Sequence, residues 1–292
     1  MPDRSPMVDA NAHCEAFAAS YVRLVVTAAD EHWLAAACDA LCGYGASVIG
    51  CDAEVGVDQR LDATATPDGR PGASILAFHF TKEKVARAAA NRVGQGLLTC
   101  PTAAVFDGLP ESTDRAPLGD YLRYFGDGHQ RREGSDWVVP VMEGEVALPA
   151  TMGVGRGVAG GALVVCGRDQ ATALAATRRA ADSLHDMPGV ITPFPGGVCR
   201  SGSKVGSRYR GLVASTNEAY CPTLRDAVES ELPKGTGAAY ELVINGVDEP
   251  AVRAALARAI EAMAGAPLLA VTASDYGGRL GAVRISLSDL LK

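Results

Sequence analysis

The sequence predicts an α+β protein built from two ferredoxin-like (split βαβ) lobes with a β-hairpin insertion between them. Three observations carry that reading. Strand-length apolar runs alternate with Ala-rich helical stretches in the order β-α-β-β-α-β. The same order returns in the second half of the chain. Between the two passes lies a polar stretch rich in turn signals. The expected lobes are residues 1–149, carrying the insertion, and residues 150–292.

In the first half, 21–28 (YVRLVVTA) is apolar and β-branched, and therefore a strand. Asp30 is placed to cap a helix with Trp33, Leu34, Ala37 and Leu41 at helical spacing, and Gly43 stops it. A second strand is expected at 46–50 (ASVIG), a turn at 67–72 (PDGRPG) and a third strand at 73–80 (ASILAFHF). Residues 82–93 read as a helix ended by Gly94 and Gly96, and 97–100 as extended chain before Pro101. The stretch 121–148, with its Gly-Asp-Gly and Glu-Gly turns, reads as the hairpin insertion. In the second half the strands fall at 162–165, 189–192, 239–244 and 268–273, the helices at 170–184 and 249–263, and 285–287 closes the set. The segments 21–40 and 240–263 share a strand, an acidic cap and an Ala-rich helix, which suggests duplicated lobes.

Composition narrows the function. With 48% hydrophobic and 21% charged residues the chain is an ordinary globular sequence, and a net charge of −7 argues against nucleic-acid binding. No apolar run approaches the ~18 residues of a membrane span, and the first residues lack the apolar core of a signal peptide, so a cytoplasmic location is expected. The 8 cysteines form no C-x-x-C pair and the 5 histidines are isolated, so no metal site is expected. The run GVGRGVAGG (153–161) precedes a strand instead of following one, which excludes a dinucleotide fingerprint. Neither a phosphate-loop motif nor a nucleophile elbow with a Ser-His-Asp set is present.

Candidate chemistry gathers in loops at strand ends: 99–110 (TCPTAAVFDGLP), 126–130, 193–207 (PFPGGVCRSGSKVGS) and 215–223 (STNEAYCPT). The 193–207 loop combines prolines and glycines with the donors Ser201, Ser203, Lys204 and Ser207 and contains no acid, which suits an anionic or carbonyl-rich ligand. One carboxylate, Glu241, interrupts the apolar strand AAYELVING. By alternation it shares a face with Val243 and Asn245, opposite Tyr240, Leu242 and Ile244. A carboxylate there either faces water or is held for use, and the pattern leaves both open.

Taken in order, PTAAVFDGLP, FGDG, PFPGG, SGSKVGS, STNEAYCPT, ELPKGTGAAYELVING and DYGGRLG strongly resemble formylmethanofuran:tetrahydromethanopterin formyltransferases. The resemblance runs from about residue 27 to the C-terminus, and the extension 1–11 departs from the pattern. It implies an N-formyltransferase of one-carbon metabolism that moves a formyl group between N5 of tetrahydromethanopterin and the amine of a methanofuran-type carrier. Both coenzymes would be substrates, and no metal or organic prosthetic group is implied. It further implies a homo-oligomer, or a subunit of a bacterial formyltransferase/hydrolase complex with an amidohydrolase-like partner. The alternative is a non-catalytic, pterin-binding scaffold subunit of a formyl-hydrolysing complex.

Residue by residue, the resemblance assigns Glu241 as the proton-moving carboxylate. Oxyanion donors would be Ser203, Lys204 or the backbone N–H groups of Gly196 and Gly197, in the loop that also carries Pro195. Thr102, Asn217 and Tyr220 are expected substrate contacts, and Asp107 and Asp127 are either contacts or turn-forming residues. Cys100, Cys199 and Cys221 lie in or beside these loops without a neighbouring histidine, so no covalent role is expected.

Overall fold

The structure, a computed structural model, describes residues 7–185, 187–275 and 281–291. The chain divides into two compact units, Ala19–Arg156 and Gly157–Lys292, the latter joined by the N-terminal stretch up to Ala18. The first strand, β1 (His13–Thr27), contributes to both.

In the first unit the remainder of β1 is followed by α1 (Glu31–Cys42), β2 (Glu54–Leu61), β3 (Gly72–His79), α2 (Lys82–Arg92) and β4 (Ala104–Asp107). Pairing is antiparallel throughout, in the order β4-β1-β3-β2. The Asp30 carboxylate accepts the Trp33 N–H at 3.1 Å and so starts α1, and the Gly43 N–H closes it on Asp39 O at 2.8 Å. Leu34, Ala37 and Leu41 on one face of α1 pack with Val22, Leu24 and Val26 of β1 in a buried core.

Two expected elements differ. Residues 46–50 are a turn, because the Gly50 and Cys51 N–H groups both fold back on Ser47 O and the Val48 N–H goes to the Glu54 carboxylate at 3.0 Å. The place beside β3 is taken by β2, which starts at Glu54. Nor does α2 stop at its glycines. A π-turn, Val93–Leu97, carries it onward, so 97–100 is turn where extended chain was expected. Gly96 serves the approach of α1: a Cβ there would lie 3.2 Å from Ala40 Cβ.

After β4 come β5 (Arg115–Pro117), α3 (Gly119–Leu122), β6 (Arg131–Glu133), β7 (Asp136–Val141), β8 (Gly144–Pro149) and β9 (Thr151–Gly153). The expected hairpin is a three-stranded meander, β6-β7-β8, because the chain turns twice, after Glu133 and after Val141. It belongs within this unit. The expected cut at residue 149 falls at the end of β8, but β9 returns to pair with β5 and holds 151–153 in the same body.

The second unit contains β10 (Gly155–Gly167, entering from the first), α4 (Gln170–Asp182), β11 (Val190–Ile191), β12 (Lys204–Val205), β13 (Ala214–Ser215), β14 (Ala238–Gly246), α5 (Glu249–Ala262), β15 (Ala270–Thr272) and β16 (Val283–Ser286). Its antiparallel order, β15-β10-β14-β11, repeats position for position that of the first unit. Asp169 and Asp248 cap α4 and α5 as Asp30 caps α1, each accepting an N–H at 2.8 Å. β16 pairs with 13–16 of β1, which is why the chain's start joins this unit. The 153–161 glycines run into β10 instead of forming a loop before a helix. Leu163, Leu242 and Ile244 face α4 and α5 in a second core with Ala176, Leu256 and Ile260. Among the described residues no helix is long and apolar enough to cross a membrane. Of the DYGGRLG motif, 276–280 lie outside the described residues, as do 1–6 of the N-terminal extension.

Candidate active site

Glu241 sits in β14, in register with Val164 of β10 on one side. On the other side its backbone exchanges both hydrogen bonds with Cys199, N–H to O at 2.8 and 2.9 Å. The 193–207 loop therefore docks directly on this strand. The face of the sheet opposite the helices is covered by the chain after β13, where Tyr220 and Leu232 pack on Val164 and Cys166. Glu241 lies under this cover and is only 3% exposed.

The Glu241 carboxylate has a lopsided environment. Its Oε1 accepts from Asn217 Nδ2 at 3.4 Å, while Oε2 is buried with no hydrogen-bond partner among the described residues. Burial pushes its pKa above the ordinary 4.5, and the Ser203 and Asn217 donors beside it act in the opposite direction. A small cavity of about 30 Å³ opens at this point, walled by Glu241, Asn217, Tyr220, Ser201 and Cys199. Asn217 and Tyr220 also wall a neighbouring cavity of about 280 Å³ that reaches Lys204 and Ser274.

Asn217 is itself tightly held. Its N–H donates to Ser201 O at 3.0 Å, and its Nδ2 donates to Ser274 Oγ at 3.3 Å as well as to Glu241. Tyr220, 9% exposed, donates its hydroxyl to Glu231 Oε2 at 2.5 Å. Lys204, in the β12–β13 ribbon, forms an ion pair with Glu218, and that contact is the main reason the Glu218 carboxyl is held below the usual range.

The structure thus brings together Glu241, Asn217, Ser203 and Tyr220, with Lys204 at the adjoining cavity. Pro195, Gly196 and Gly197 form a short turn earlier in the loop. Gly196 is open, whereas Gly197, at φ +75°, packs against α4: a Cβ there would lie 2.7 Å from Ala181 Cβ. Thr102 and Asp107 belong to the other unit and are engaged there. Thr102, at φ +63°, accepts the Ala29 N–H on its hydroxyl, donates its own N–H to Glu143, and receives Arg70 on its carbonyl. Asp107 pairs with Arg115 at 2.6 Å and accepts the Leu109 and Gly153 N–H groups. Asp127 is a left-handed turn residue, at φ +51°.

Sequence reasoning missed Ser274 and the partnership of Lys204 with Glu218. Nothing local marks Ser274, which meets Asn217 only because β15 pairs with β10. A larger, mainly apolar cavity of about 690 Å³ lies in the first unit, lined by Leu98, Cys100, Pro101, Phe125 and Met142. No group of acids, cysteines or histidines among the described residues is arranged to hold a metal ion.

A buried carboxylate with one free oxygen, roofed by a loop rich in donors, is an arrangement suited to moving protons during acyl transfer. Comparison with known proteins gives the chain a family. Residues 7–141 match the family model described as formylmethanofuran-tetrahydromethanopterin formyltransferase, and 144–290 match its companion for the proximal lobe. The formylmethanofuran–tetrahydromethanopterin formyltransferase of Rhodopirellula baltica is 43% identical over 95% of this chain and 89% of its own length. That of Methanothermobacter thermautotrophicus is 43% identical over 94% of this chain and 95% of its own length. Among solved structures, the Methanosarcina barkeri enzyme matches with a TM-score of 0.90 at 37% identity, covering 99% of this chain and 100% of that one. A chain of the formyltransferase/hydrolase complex from Methylorubrum extorquens, solved with methylofuran, matches with a TM-score of 0.91 at 39% identity, covering 98% and 96%. With both halves matched in order and whole-chain identity of this size, the chain belongs to the formylmethanofuran–tetrahydromethanopterin formyltransferase family.

Proposed function

We propose that this chain moves a formyl group between N5 of tetrahydromethanopterin and the amine of a methanofuran-type carrier, with Glu241 as the group that takes and returns the proton. Both coenzymes act as substrates. The observation that carries the residue assignment is the Glu241 carboxylate itself: nearly fully buried, held at Oε1 by Asn217, with the Ser203 donors beside it and no hydrogen bond made at Oε2. A structural carboxylate at that depth is normally paired at both oxygens, because an unmet buried acceptor costs about 1–3 kcal/mol.

The chemistry sets the requirements. As the carrier amine attacks the formyl carbon, a C–N bond forms and the carbonyl electron pair moves onto oxygen. The amine nitrogen must lose a proton, and N5 must gain one as its bond to carbon breaks. One carboxylate serves both transfers and is regenerated, so no net proton is needed. A carboxyl group whose pKa is raised by burial is a stronger base when ionised and gives its proton back closer to neutral pH. Backbone N–H groups of the 193–207 loop are the donors for the oxyanion, joined by the Ser203 hydroxyl when it turns from Glu241, and Asn217 and Tyr220 line the substrate side. Lys204 is assigned, with Glu218, to holding the β12–β13 ribbon and contributing to field. Pro195 and Gly196 shape the loop, and Thr102, Asp107 and Gly197 are assigned to the scaffold on the strength of their bonds and packing.

The repeated order β4-β1-β3-β2 and β15-β10-β14-β11, each with two helices on one face, supports reading both units as ferredoxin-like lobes. Likeness to a chain of the formyltransferase/hydrolase complex supports a place among partner subunits; an amidohydrolase-like partner, further copies of this chain and a cytoplasmic location complete the proposal. The test is direct. The protein purified from its host, in whatever assembly it forms, should transfer formyl between tetrahydromethanopterin and a furan-type amine. An assembly that binds the pterin but transfers nothing with this chain intact would favour a scaffold role.

A further inference from the structure

Resting on the assignment of Glu241 as the proton-moving group, we propose that Ser274 is a positioning residue: by accepting one amide hydrogen of Asn217 it fixes the other on Glu241 Oε1, which leaves Oε2 as the oxygen that moves the proton. A primary amide nitrogen has two hydrogens. Asn217 Nδ2 spends one on Glu241 Oε1 at 3.4 Å and the other on Ser274 Oγ at 3.3 Å. All three side chains are buried, at 3, 8 and 6% exposure for Glu241, Asn217 and Ser274.

Without the second acceptor the Asn217 amide is held at one point only and is free to turn its carbonyl oxygen toward the carboxylate, opposing two acceptors. With Ser274 in place, the nitrogen end faces both. The backbone leaves the amide few other choices. Asn217 N–H is tied to Ser201 O at 3.0 Å, and Gly202, at φ +74°, lets the loop lie so close that a Cβ there would come within 2.4 Å of Asn217 Cβ. Ser274 is fixed from the other side, since Thr272 is in register with Val164, the residue that also opposes Glu241. The strand order thus delivers the carboxylate, and the chain leaving the sheet edge delivers the hydroxyl that orients it. The distance in sequence, 57 residues from Asn217 to Ser274, hides the pair from any local motif.

The test compares Ser274→Ala, Ser274→Thr, Asn217→Ala and the double variant Ser274→Ala/Asn217→Ala, by steady-state formyl transfer and thermal melting. Misplacing a catalytic group by up to about 1 Å costs up to about a hundredfold. Ser274→Ala should therefore lower kcat by that factor, with KM unchanged within about twofold and the melting temperature retained, while Ser274→Thr, which keeps the hydroxyl, restores kcat. In the Asn217→Ala background, Ser274→Ala should cost nothing further. Equal losses from Ser274→Ala in both backgrounds, or a change confined to KM, overturns the proposal. Glu241→Gln is run alongside. If it is fully active, the underlying assignment of Glu241 fails. If it is inactive while the cycle is additive, only the role of Ser274 fails.

Discussion

Replacing Gly197 by alanine separates a glycine that serves substrate from one that serves the fold. Its backbone sits at φ +75°, in the left-handed region where an L-residue pays about 1–2 kcal/mol. The added Cβ would lie 2.7 Å from Ala181 Cβ on α4 and 2.9 Å from Thr192 Oγ1. Ala181 is fully buried and cannot yield without moving the helix, so an overpacking cost of about 1–3 kcal/mol adds to the backbone term. The sum is about 2–5 kcal/mol. At about 1.5–2 °C per kcal/mol for a chain of 292 residues, the melting temperature should fall by about 3–10 °C. Gly196→Ala is the matched control, because its Cβ would meet nothing within 4 Å and only the backbone term applies. Thermal melts of both variants, with formyl-transfer rates measured well below the transition, give the readout. A Gly197→Ala protein that melts like the wild type but transfers formyl poorly would refute the packing argument and return Gly197 to the substrate.

Asp107→Ala should destabilise by about 1–3 kcal/mol, because the Leu109 and Gly153 N–H groups lose their acceptor while the half-exposed Arg115 keeps its bonds to Thr151 and Leu109, and denaturant titration reads this. Cys199→Ala should keep formyl transfer within a few-fold: burial raises the thiol pKa above its ordinary 9.0, so little thiolate exists to act as a nucleophile, and steady-state rates decide it. Glu241→Gln should melt at or above the wild-type temperature at neutral pH. The folded-state pKa of Glu241 is raised, so its favourable contribution is present only below the unfolded pKa and is lost as pH rises through the folded one; a neutral amide carries no such penalty. Melts at acid and neutral pH check the sign.

Much of this molecule was legible in its sequence. Asp30 and the apolar spacing behind it announced α1, and the β-α-β-β-α-β order placed most strands to within a few residues. Glu241 stood out for a physical reason, as a lone acid in an apolar strand, and its burial removes the solvated-face reading that the alternation pattern left open. What escaped was set at a distance. Residues 13–20 (HCEAFAAS) have little intrinsic strand preference and become strand partly because 283–286 pairs beside them. ASVIG has that preference but no neighbouring strand to pair with, and it turns. The purpose of a glycine cannot be read locally either. Nothing in PFPGG distinguishes close approach to a ligand from close approach to α4. Ser274 lies 57 residues from its partner, and only the register of β15 on β10 brings it to the site.

The most direct test of the account is the pH dependence of kcat/KM for formyl transfer by the wild type and by Glu241→Gln. The account predicts a wild-type acid limb with an apparent pKa above the ordinary 4.5, set by the buried carboxylate, and a loss of about 10²–10⁴-fold in the variant together with that limb. A Glu241→Gln protein with the wild-type rate and the same acid limb would contradict it, and would leave the transfer to orientation of the two substrates alone.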